Sequence, residues 1–428
     1  MMTRTPIEIP YGDATRAFRV PADNLLGVYS PLAAPVAPDS AAEIARALAA
    51  PIEAPTLVEL ARGRRSVVIV ADDNTRPTPT DVIVPLLLAA LNAAGVPDDA
   101  IRAVIALGTH RPMTPDEIER KFGPEVVRRV PVDNHEAFDP AALVDLGATP
   151  SGVPVFVNRT VMEADLVIGV GSIVPHHIPG YSGGAKIIQP GVCGERTTGE
   201  VHLLSVRREG SLLGVVENPV RAEMEAIAER AGLRAILNTV LDTQGRLVGA
   251  VYGEPRAAFR QGVAMSRTVY GVPVPARAEI VVAGSHPCDI EFWQAHKTLY
   301  AAELVVRRGG TIIIVTPCPE GVAVTHPDMV HFAGQPMDAI DAAICAGEIH
   351  DLTAGALALA WANTRRRAHV CLVSDGIADA DARALGFEPY PDVQSAVDAA
   401  IARHGPTARV AVLPHAPDTL PILPAEGA

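Results

Sequence analysis

One segment of the chain, residues 175 to 202, concentrates residue types that could do chemistry. Its candidates are three glycines, a lysine and three histidines, namely Gly180, Gly183, Gly184, Lys186, His176, His177 and His202. The glycines permit tight turns and a close approach of the backbone to a ligand, and the lysine could meet an anion or attack an electrophile. The spacing is neither that of a P-loop nor that of a dinucleotide fingerprint. A phosphate site and an ordinary glycine loop therefore both remain open.

A second group of polar residues follows two apolar runs. Asp72, Asp73 and Arg76 come directly after the first run, in a loop stiffened by prolines that would aim an arginine at a carboxylate or phosphate. His110 has a similar place after the next run. Helix caps, a surface salt bridge and a structural histidine are the alternatives. Because several such loops should converge on one crevice, a ligand site is favoured.

The segment FWQAHKTL, residues 292 to 299, places Gln294 and Lys297 three positions apart. On a helix they would share one face and could reach an anionic substrate. A solvated helix face is the alternative, and we interpret the neighbouring His296 as structural.

Short runs rich in Val, Ile and Leu alternate with helix-like segments along the chain. The first series comprises residues 66–71, 103–107 and 165–170, and the second comprises 280–283, 311–315 and 369–373; helix-like segments include 82–94, 292–306 and 338–346. This alternation is typical of parallel α/β sheets, which bind ligands at the carboxyl ends of their strands.

A cluster of Pro and Gly at residues 271 to 277 predicts a boundary between two domains. We expect an N-terminal catalytic and cofactor-binding domain at 1–272, a C-terminal α/β domain at 278–413 and a Pro-rich tail at 414–428. The fold class is thus α/β, with two domains of mainly parallel strands and the active site in the cleft between them.

The composition excludes several kinds of partner. A net charge of −13 without a long basic run argues against nucleic acid and anionic lipid, which favours a small-molecule ligand. Five cysteines without a CxxC pair argue against a disulfide framework. With no signal peptide or membrane span recognisable, we expect a cytoplasmic protein. A homo-oligomer is compatible with all of this.

Four segments together resemble the nickel-dependent lactate racemase family. They are DDNTRP, GTHRPMT, PHHIPGYSGGAK with a histidine sixteen positions after its lysine, and QAHK. They occur in the family's order and span nearly the whole chain, so chance agreement is improbable. The resemblance identifies the family but not the substrate.

The resemblance implies a cofactor and a set of roles. The family carries nickel in a pyridinium-3,5-bisthiocarboxylic acid mononucleotide, a pincer joined to a lysine and supplied by cofactor-building enzymes. Carried over residue by residue, the roles are tether for Lys186, nickel ligand for His202, acid/base pair for His110 and His176, substrate-carboxylate contacts for Arg76, Lys297 and Gln294, and cofactor contacts for Asp73, Ser182, Gly183 and Gly184. His177 is adjacent, but the ten-residue spacing to the tether selects His176.

The resemblance also implies a racemase or epimerase that works by hydride transfer to and from the cofactor. Proton abstraction next to a carboxylate is difficult, whereas a neutral histidine can take the hydroxyl proton while a 2-keto acid forms. Trp293 stands where the lactate enzyme has tyrosine, which leaves the 2-hydroxyacid undetermined. The competing interpretations are a pyridoxal-phosphate enzyme with Lys186 as its imine lysine, and a cofactor-binding protein without catalysis.

Overall fold

Two six-stranded sheets organise the chain, and the computed structural model describes residues 3–31, 33–207 and 210–424. The strands are β1 Arg4–Tyr11, β2 Ala14–Pro21, β3 Leu25–Val28, β4 Val67–Asp72, β5 Ile101–Ala106, β6 Val132–Asn134, β7 Leu143–Ala148, β8 Pro154–Asn158, β9 Leu166–Ser172, β10 Pro175–His176, β11 Gly180–Tyr181, β12 Leu233–Leu241, β13 Leu247–Gly253, β14 Gly271–Pro273, β15 Ala278–Gly284, β16 Val306–Val315, β17 His369–Val373, β18 Glu388–Pro389, β19 Val410–Leu413 and β20 Leu420–Ile422.

Helices flank the sheets. They are α1 Ser40–Ala49, α2 Leu57–Ala61, α3 Thr80–Ala93, α4 Pro115–Phe122, α5 Pro124–Arg129, α6 Arg159–Met162, α7 Glu195–Val206, α8 Pro219–Arg230, α9 Pro255–Tyr270, α10 Phe292–Ala295, α11 Thr298–Val305, α12 Met337–Cys345, α13 Leu352–Arg367, α14 Asp379–Ala384 and α15 Val393–His404. Short 3-10 turns occur at Asp98–Ala100, Pro140–Ala142, Gly184–Ile187, Pro327–His331 and Ala416–Asp418. None of the described helices is both long and apolar enough to cross a membrane.

The first sheet has the order β13-β12-β9-β4-β5-β6, and only the β12–β13 pair in it is antiparallel. Its central strands β4 and β9 are buried along their whole length. This burial explains their continuous apolar sequences, because helices cover both faces of a parallel sheet. The predicted parallel α/β class is confirmed.

The second sheet has the order β18-β17-β16-β15-β19-β3, with all neighbours parallel. Its last strand comes from the N-terminus of the chain, and the β1–β2 hairpin packs on the same sheet: Ile9 and Phe18 share a buried cluster with Val282 and Val397. Residues 4–28 thus belong with the C-terminal sheet. The prediction that residues 4–28 belong to the first domain is therefore wrong. The apolar face of the β1–β2 hairpin is buried against the C-terminal sheet.

The predicted tail and one predicted helix also differ from the structure. Strand β20 pairs in parallel with β14 at the predicted domain boundary, so the segment near residue 420 is ordered by backbone hydrogen bonds. Residues 425–428 of the predicted tail lie outside the described residues. The predicted helix at 292–306 is divided into α10 and α11, with His296 and Lys297 between them.

The burial of the N-terminal hairpin predicts a large effect of Phe18→Ala. Phe18 is 3% exposed, and truncating a buried Phe typically costs about 3–5 kcal/mol of unfolding free energy. Chemical denaturation should show this loss. Phe138, which is 55% exposed, is the matched control, and Phe138→Ala should cost less than about 1 kcal/mol. Equal effects of the two substitutions would contradict the packing described here.

The buried His135 predicts a loss of stability in acid. Its Nε2 lies 2.9 Å from the Cys193 carbonyl oxygen and its Nδ1 lies 3.1 Å from Nδ2 of Asn158. Burial lowers the pKa of His135 to about 4, from 6.5. Between these values the unfolded chain binds more protons than the folded chain, so stability is lost as the pH falls from about 6.5 to about 4, by at most about 1.4 kcal/mol per pH unit.

The test compares urea unfolding of the wild type with that of His135→Gln across this pH range. The variant should be less stable at pH 7 but should show a flatter pH dependence. His350→Gln, at an exposed position, should leave the pH dependence unchanged. An unaltered slope in His135→Gln would refute the assignment.

Candidate active site

A pocket of about 860 Å³ lies where the carboxyl ends of β4, β5 and β9 meet the α10–α11 segment that follows β15. We call it the central pocket. Ten of the predicted site residues line it: Asp73, Arg76, His110, His176, Ser182, Gly183, Lys186, His202, Gln294 and Lys297. Residues that are distant in sequence therefore lie together at the carboxyl ends of parallel strands, where such sheets bind ligands.

The loop that carries Lys186 is built from a small hairpin and a glycine turn. Gly180 has a positive φ of 84°, and a Cβ there would lie 1.9 Å from the Val215 carbonyl oxygen, so only glycine fits. The Arg221 guanidinium is buried and donates to the carbonyl oxygens of Tyr181 and Gly183. These bonds fix the turn that places Lys186 in the 3-10 turn lining the pocket.

The surroundings of Lys186 favour the neutral amine. Burial holds its pKa well below the usual value, and the positive charges of Arg76 and Lys297 lower it further, against a smaller opposing effect of Asp73. An uncharged lysine has a lone pair at neutral pH and can act as a nucleophile.

Two of the residues expected to contact the cofactor, Ser182 and Gly184, already use their backbone amides. The Ser182 N–H donates to the Val174 carbonyl oxygen at 2.8 Å, and the Gly184 N–H donates to Oδ1 of Asn238 at 2.8 Å. Gly184 also lies outside the pocket lining, where an added Cβ would come within 2.9 Å of Phe259. A buried turn must satisfy its own donors, so these two amides are engaged within the protein, and the cofactor contacts of Ser182 and Gly184 stay a prediction. The Gly183 amide remains a candidate.

His202 is held on α7 with one ring nitrogen engaged. Its Nδ1 lies 2.7 Å from the carbonyl oxygen of Thr198, one helical turn earlier, so Nδ1–H donates and Nε2 keeps its lone pair. Burial lowers the pKa of His202 to about 4. A neutral imidazole oriented by a carbonyl is the form in which histidine binds a metal.

His110 lies in a hydrogen-bonded chain that joins the two sheets. Its Nδ1 is 2.6 Å from Oδ2 of Asp73, and its Nε2 is 2.8 Å from Nε2 of Gln294, whose Oε1 accepts from the Lys297 ammonium. Burial alone would raise the pKa of Asp73, but the charge and hydrogen bond of His110 and a hydrogen bond from Thr75 hold it below the usual range. In this arrangement His110 carries its proton on Nδ1, which donates to Asp73. The lone pair on its Nε2 accepts from the Gln294 amide and can act as a base.

In His176 the ring proton lies on the other nitrogen, Nε2. The Ile178 N–H donates to its Nδ1 at 3.2 Å, which leaves the proton of the neutral ring on Nε2. Burial holds the pKa of His176 well below its usual value, and the positive charges of Lys297 and Arg76 lower it further. The ring stacks on His177, which in turn stacks on Tyr300 with centroids 3.7 Å apart.

His177 and His296 belong to this aromatic group. Their rings meet edge to face, and Nδ1 of His296 lies 3.1 Å from the Tyr300 hydroxyl. Both also line the central pocket. Ring packing and the Tyr300 contact agree with the interpretation of His296 as structural.

Arg76 and Lys297 are two cations placed close together. Within the described part of the chain, the Arg76 guanidinium donates hydrogen bonds only to oxygens of the neighbouring Thr75. Burial lowers the pKa of Lys297 to about 8, and the charge of Arg76 is the next cause. A bound anion would relieve this repulsion, so the pair is suited to hold a carboxylate.

Sequence reasoning missed a second contact between the sheets. The Trp293 ring stacks on His326 with centroids 3.8 Å apart, Nε2 of His326 is 3.1 Å from Oγ1 of Thr109, and Nδ1 of His326 bonds to Asp351. Thr109 directly precedes His110, so this group fixes the loop of that histidine. The segment containing His326 follows the carboxyl end of β16, a position that could have identified it.

Known proteins match this chain over most of its length. A model of the lactate racemase N-terminal domain matches residues 11–214, and one of the lactate racemase C-terminal domain matches residues 273–419. The lactate racemase of Lactiplantibacillus plantarum is 32% identical over 369 residues, which are 84% of this chain and 85% of that protein. That of Thermoanaerobacterium thermosaccharolyticum is 32% identical over 320 residues, which are 74% and 75% of the two chains.

Solved structures agree with these matches. The lactate racemase apoprotein from Thermoanaerobacterium thermosaccharolyticum has a TM-score of 0.87 at 27% identity, covering 98% of this chain and 100% of that chain. A protein from Thermotoga maritima, with a TM-score of 0.73 at 22% identity over 92% of this chain and 100% of that chain, shares the fold. By sequence and by structure, the chain belongs to the lactate racemase family.

Proposed function

We propose that the chain is a racemase or epimerase of a lactate-like 2-hydroxyacid, and that the central pocket between its two sheets is the active site. The proposed cofactor is the nickel-pincer nucleotide, joined to Lys186. The observation that carries the proposal is the arrangement of Arg76 and Lys297 around His110 and His176 in one pocket. This set provides a site for a carboxylate, with an imidazole base and an imidazole N–H donor beside it.

The residues present fit the proposed cofactor. Lys186 has a lowered pKa, and a neutral amine is what acylation of a lysine requires. His202 offers Nε2, and an imidazole with sulfur donors suits nickel in square-planar geometry. Gly183 and Ser182 border the pocket beside the tether. When bound, the cofactor would supply the hydride acceptor and donor.

Asp73, expected as a cofactor contact, has a different role in this proposal. Its carboxylate is occupied by His110 and by the Thr75 hydroxyl at 2.5 Å. By accepting from Nδ1–H, Asp73 keeps Nε2 of His110 as the base and stabilises the ring when it gains a proton, as the third member of a catalytic triad does.

The two histidines would act on the hydroxyl oxygen of the substrate. His110 as a base takes the hydroxyl proton of one enantiomer, which displaces the Gln294 amide from Nε2. His176 carries its proton on Nε2 and can donate a hydrogen bond to the oxygen of a planar 2-keto acid. The proton taken up by His110 would return to that oxygen when hydride is returned to the opposite face of C2, which gives the other enantiomer. The two imidazoles thus differ in resting tautomer: Nε2 of His110 is a base, and Nε2 of His176 carries the proton.

The two sheets are also tied beside the pocket. Arg111, next to His110, pairs with Glu117 at 2.8 Å and with Glu320, in the loop that follows β16 of the second sheet, at 2.9 Å. Such a bridge holds the cleft closed, and closure excludes water, which strengthens the grip of Arg76 and Lys297 on an anion.

The direct test of the activity uses protein loaded with the cofactor by its building enzymes. Each enantiomer of a set of 2-hydroxyacids labelled with deuterium at C2 is followed by chiral chromatography. Racemisation with retention of deuterium in ordinary water is expected from hydride transfer. Loss of the label would indicate proton abstraction, and an absorbing lysine adduct without nickel would support the pyridoxal-phosphate alternative.

The cofactor assignment predicts different defects in two variants. The chain has three lysines, Lys121, Lys186 and Lys297, so intact mass with peptide mapping identifies the tether directly. Lys186→Ala should remove the added mass completely, whereas His202→Ala should keep it but lose most of the nickel, because a nitrogen donor is removed. Lys297→Ala is the matched control and should keep both. Added mass in Lys186→Ala, or full nickel in His202→Ala, would refute the respective role.

The carboxylate site predicts a kinetic defect without loss of cofactor. Arg76→Lys keeps the charge but loses the planar fork, and we expect kcat/KM to fall at least about tenfold, or roughly 1.4 kcal/mol of transition-state stabilisation. Lys297→Ala should be worse, because a charge is lost. Arg62→Lys, at an exposed position, is the control. Near-normal kcat/KM in both site variants would exclude the carboxylate site, and nickel loss would assign them to the cofactor.

A further inference from the structure

A second cavity adjoins the central pocket, with a volume of about 880 Å³ that includes space open to solvent, and we call it the side-chain chamber. The two cavities share Arg76, Lys297 and His176, so the chamber begins at the groups proposed to hold the substrate. Lys186 and His202 line the central pocket but are not among the described residues that line the chamber. The chamber is therefore a space beside the substrate rather than part of the cofactor site.

The position of the chamber limits what can enter it. A 2-hydroxyacid has four groups on C2: a carboxylate, a hydroxyl, a hydrogen and a side chain. In the proposed function, the first three would be directed to Arg76 and Lys297, to the histidines and to the cofactor. The side chain is the remaining group, and the adjoining open space is the chamber. The methyl group of lactate would leave most of that space unfilled.

The walls of the chamber are mainly apolar. Val174, Leu241, Tyr270 and Pro287 contribute to them, and the Tyr270 hydroxyl is already bonded to the Leu241 carbonyl oxygen. Burial of apolar substrate atoms against such walls favours binding, and one methylene group is worth about 10- to 200-fold in discrimination.

An acidic residue sets the charge preference of the chamber. Asp418 lies on its wall, is buried, and is close enough to Arg76 and Lys297 to interact with them electrostatically. Two further titratable groups on the wall have partners of opposite charge: Asp242 pairs with Arg246, and Nδ1 of His286 lies 3.2 Å from Oδ2 of Asp289. A second carboxylate on the substrate would meet Asp418 at short range in a poorly solvated space, which is unfavourable. A neutral side chain avoids that repulsion.

We infer that the substrate is a monocarboxylic 2-hydroxyacid whose side chain is neutral, largely apolar and clearly larger than methyl, such as a branched aliphatic or aromatic group. The inference rests on the proposed function and identifies its substrate class. Thr243, in the turn between β12 and β13, lines the chamber and lies outside the proposed catalytic set. It provides a position at which the chamber can be filled.

The experiment compares kcat/KM of loaded enzyme for lactate, 2-hydroxy-4-methylpentanoate, 3-phenyllactate and malate. Wild type should prefer at least one of the two bulky acids over lactate and over malate by about tenfold or more. Thr243→Trp should lower kcat/KM for the bulky acids at least about tenfold and leave lactate within about twofold. Thr407→Trp, at an exposed turn position, is the matched control. Asp418→Asn should improve malate relative to the other acids.

Binding to the protein without cofactor provides a second measurement. Calorimetry with 4-methyl-2-oxopentanoate and pyruvate should show tighter binding of the larger anion, and this difference should disappear in Thr243→Trp. Circular dichroism establishes that each variant is folded, and Thr243→Phe replaces Thr243→Trp if that one is not.

The outcomes separate the inference from the function on which it rests. No turnover of any 2-hydroxyacid by nickel-loaded enzyme would overturn the proposed function. Turnover in which lactate equals or exceeds both bulky acids, or in which malate is best, would overturn the inference alone. A Thr243→Trp variant that loses lactate and bulky acids equally would also overturn it.

Discussion

The hydrogen-bonded chain from Asp73 through His110 and Gln294 to Lys297 is the interaction on which the central pocket depends. Asp73 fixes the proton of His110 on Nδ1, the Gln294 amide fixes the other ring nitrogen, and Lys297 fixes the amide. The first two residues lie in loops that follow strands of the first sheet, and the last two lie in the α10–α11 segment that follows β15 of the second sheet. The relative position of the sheets and the state of the histidine are therefore determined by the same bonds, so a movement of one sheet would disturb both.

Burial is the second constraint, because it places charges and neutral donors in one poorly solvated space. Lys186 and Lys297 have lowered pKa values for this reason, and Arg76 lowers them further. His176 and His202 are held neutral by the same desolvation. The proposed roles of a nucleophilic lysine, a metal-binding histidine and acid/base histidines all call for neutral side chains, and burial favours the neutral forms.

The sequence predicted the limits of the strands better than it predicted which sheet each strand joins. Strands β4 and β9 were predicted within two residues of their limits, because a continuous apolar run is a local property of a buried parallel strand. The place of the β1–β2 hairpin was not predictable, because its apolar face fits either domain until the sheets are built. Likewise, pairing of β20 with β14 depends on backbone groups about 150 residues apart in the chain, which no local pattern reports.

The sequence by itself determined the chemical inventory: a lysine after a glycine turn, histidines at positions 110, 176 and 202, and cations at 76 and 297. Residue types and their positions after apolar runs can be read from the sequence, and the family motifs combine specific residue types at specific positions. Only the tertiary structure decided which atoms are available. Gly184 has its amide bound by Asn238, and His110 is held by Gln294 from 184 positions away. The side-chain chamber also exists only between the two sheets. The physical reason is that hydrogen bonds, desolvation and cavities depend on spatial neighbours, which folding supplies from distant parts of the sequence.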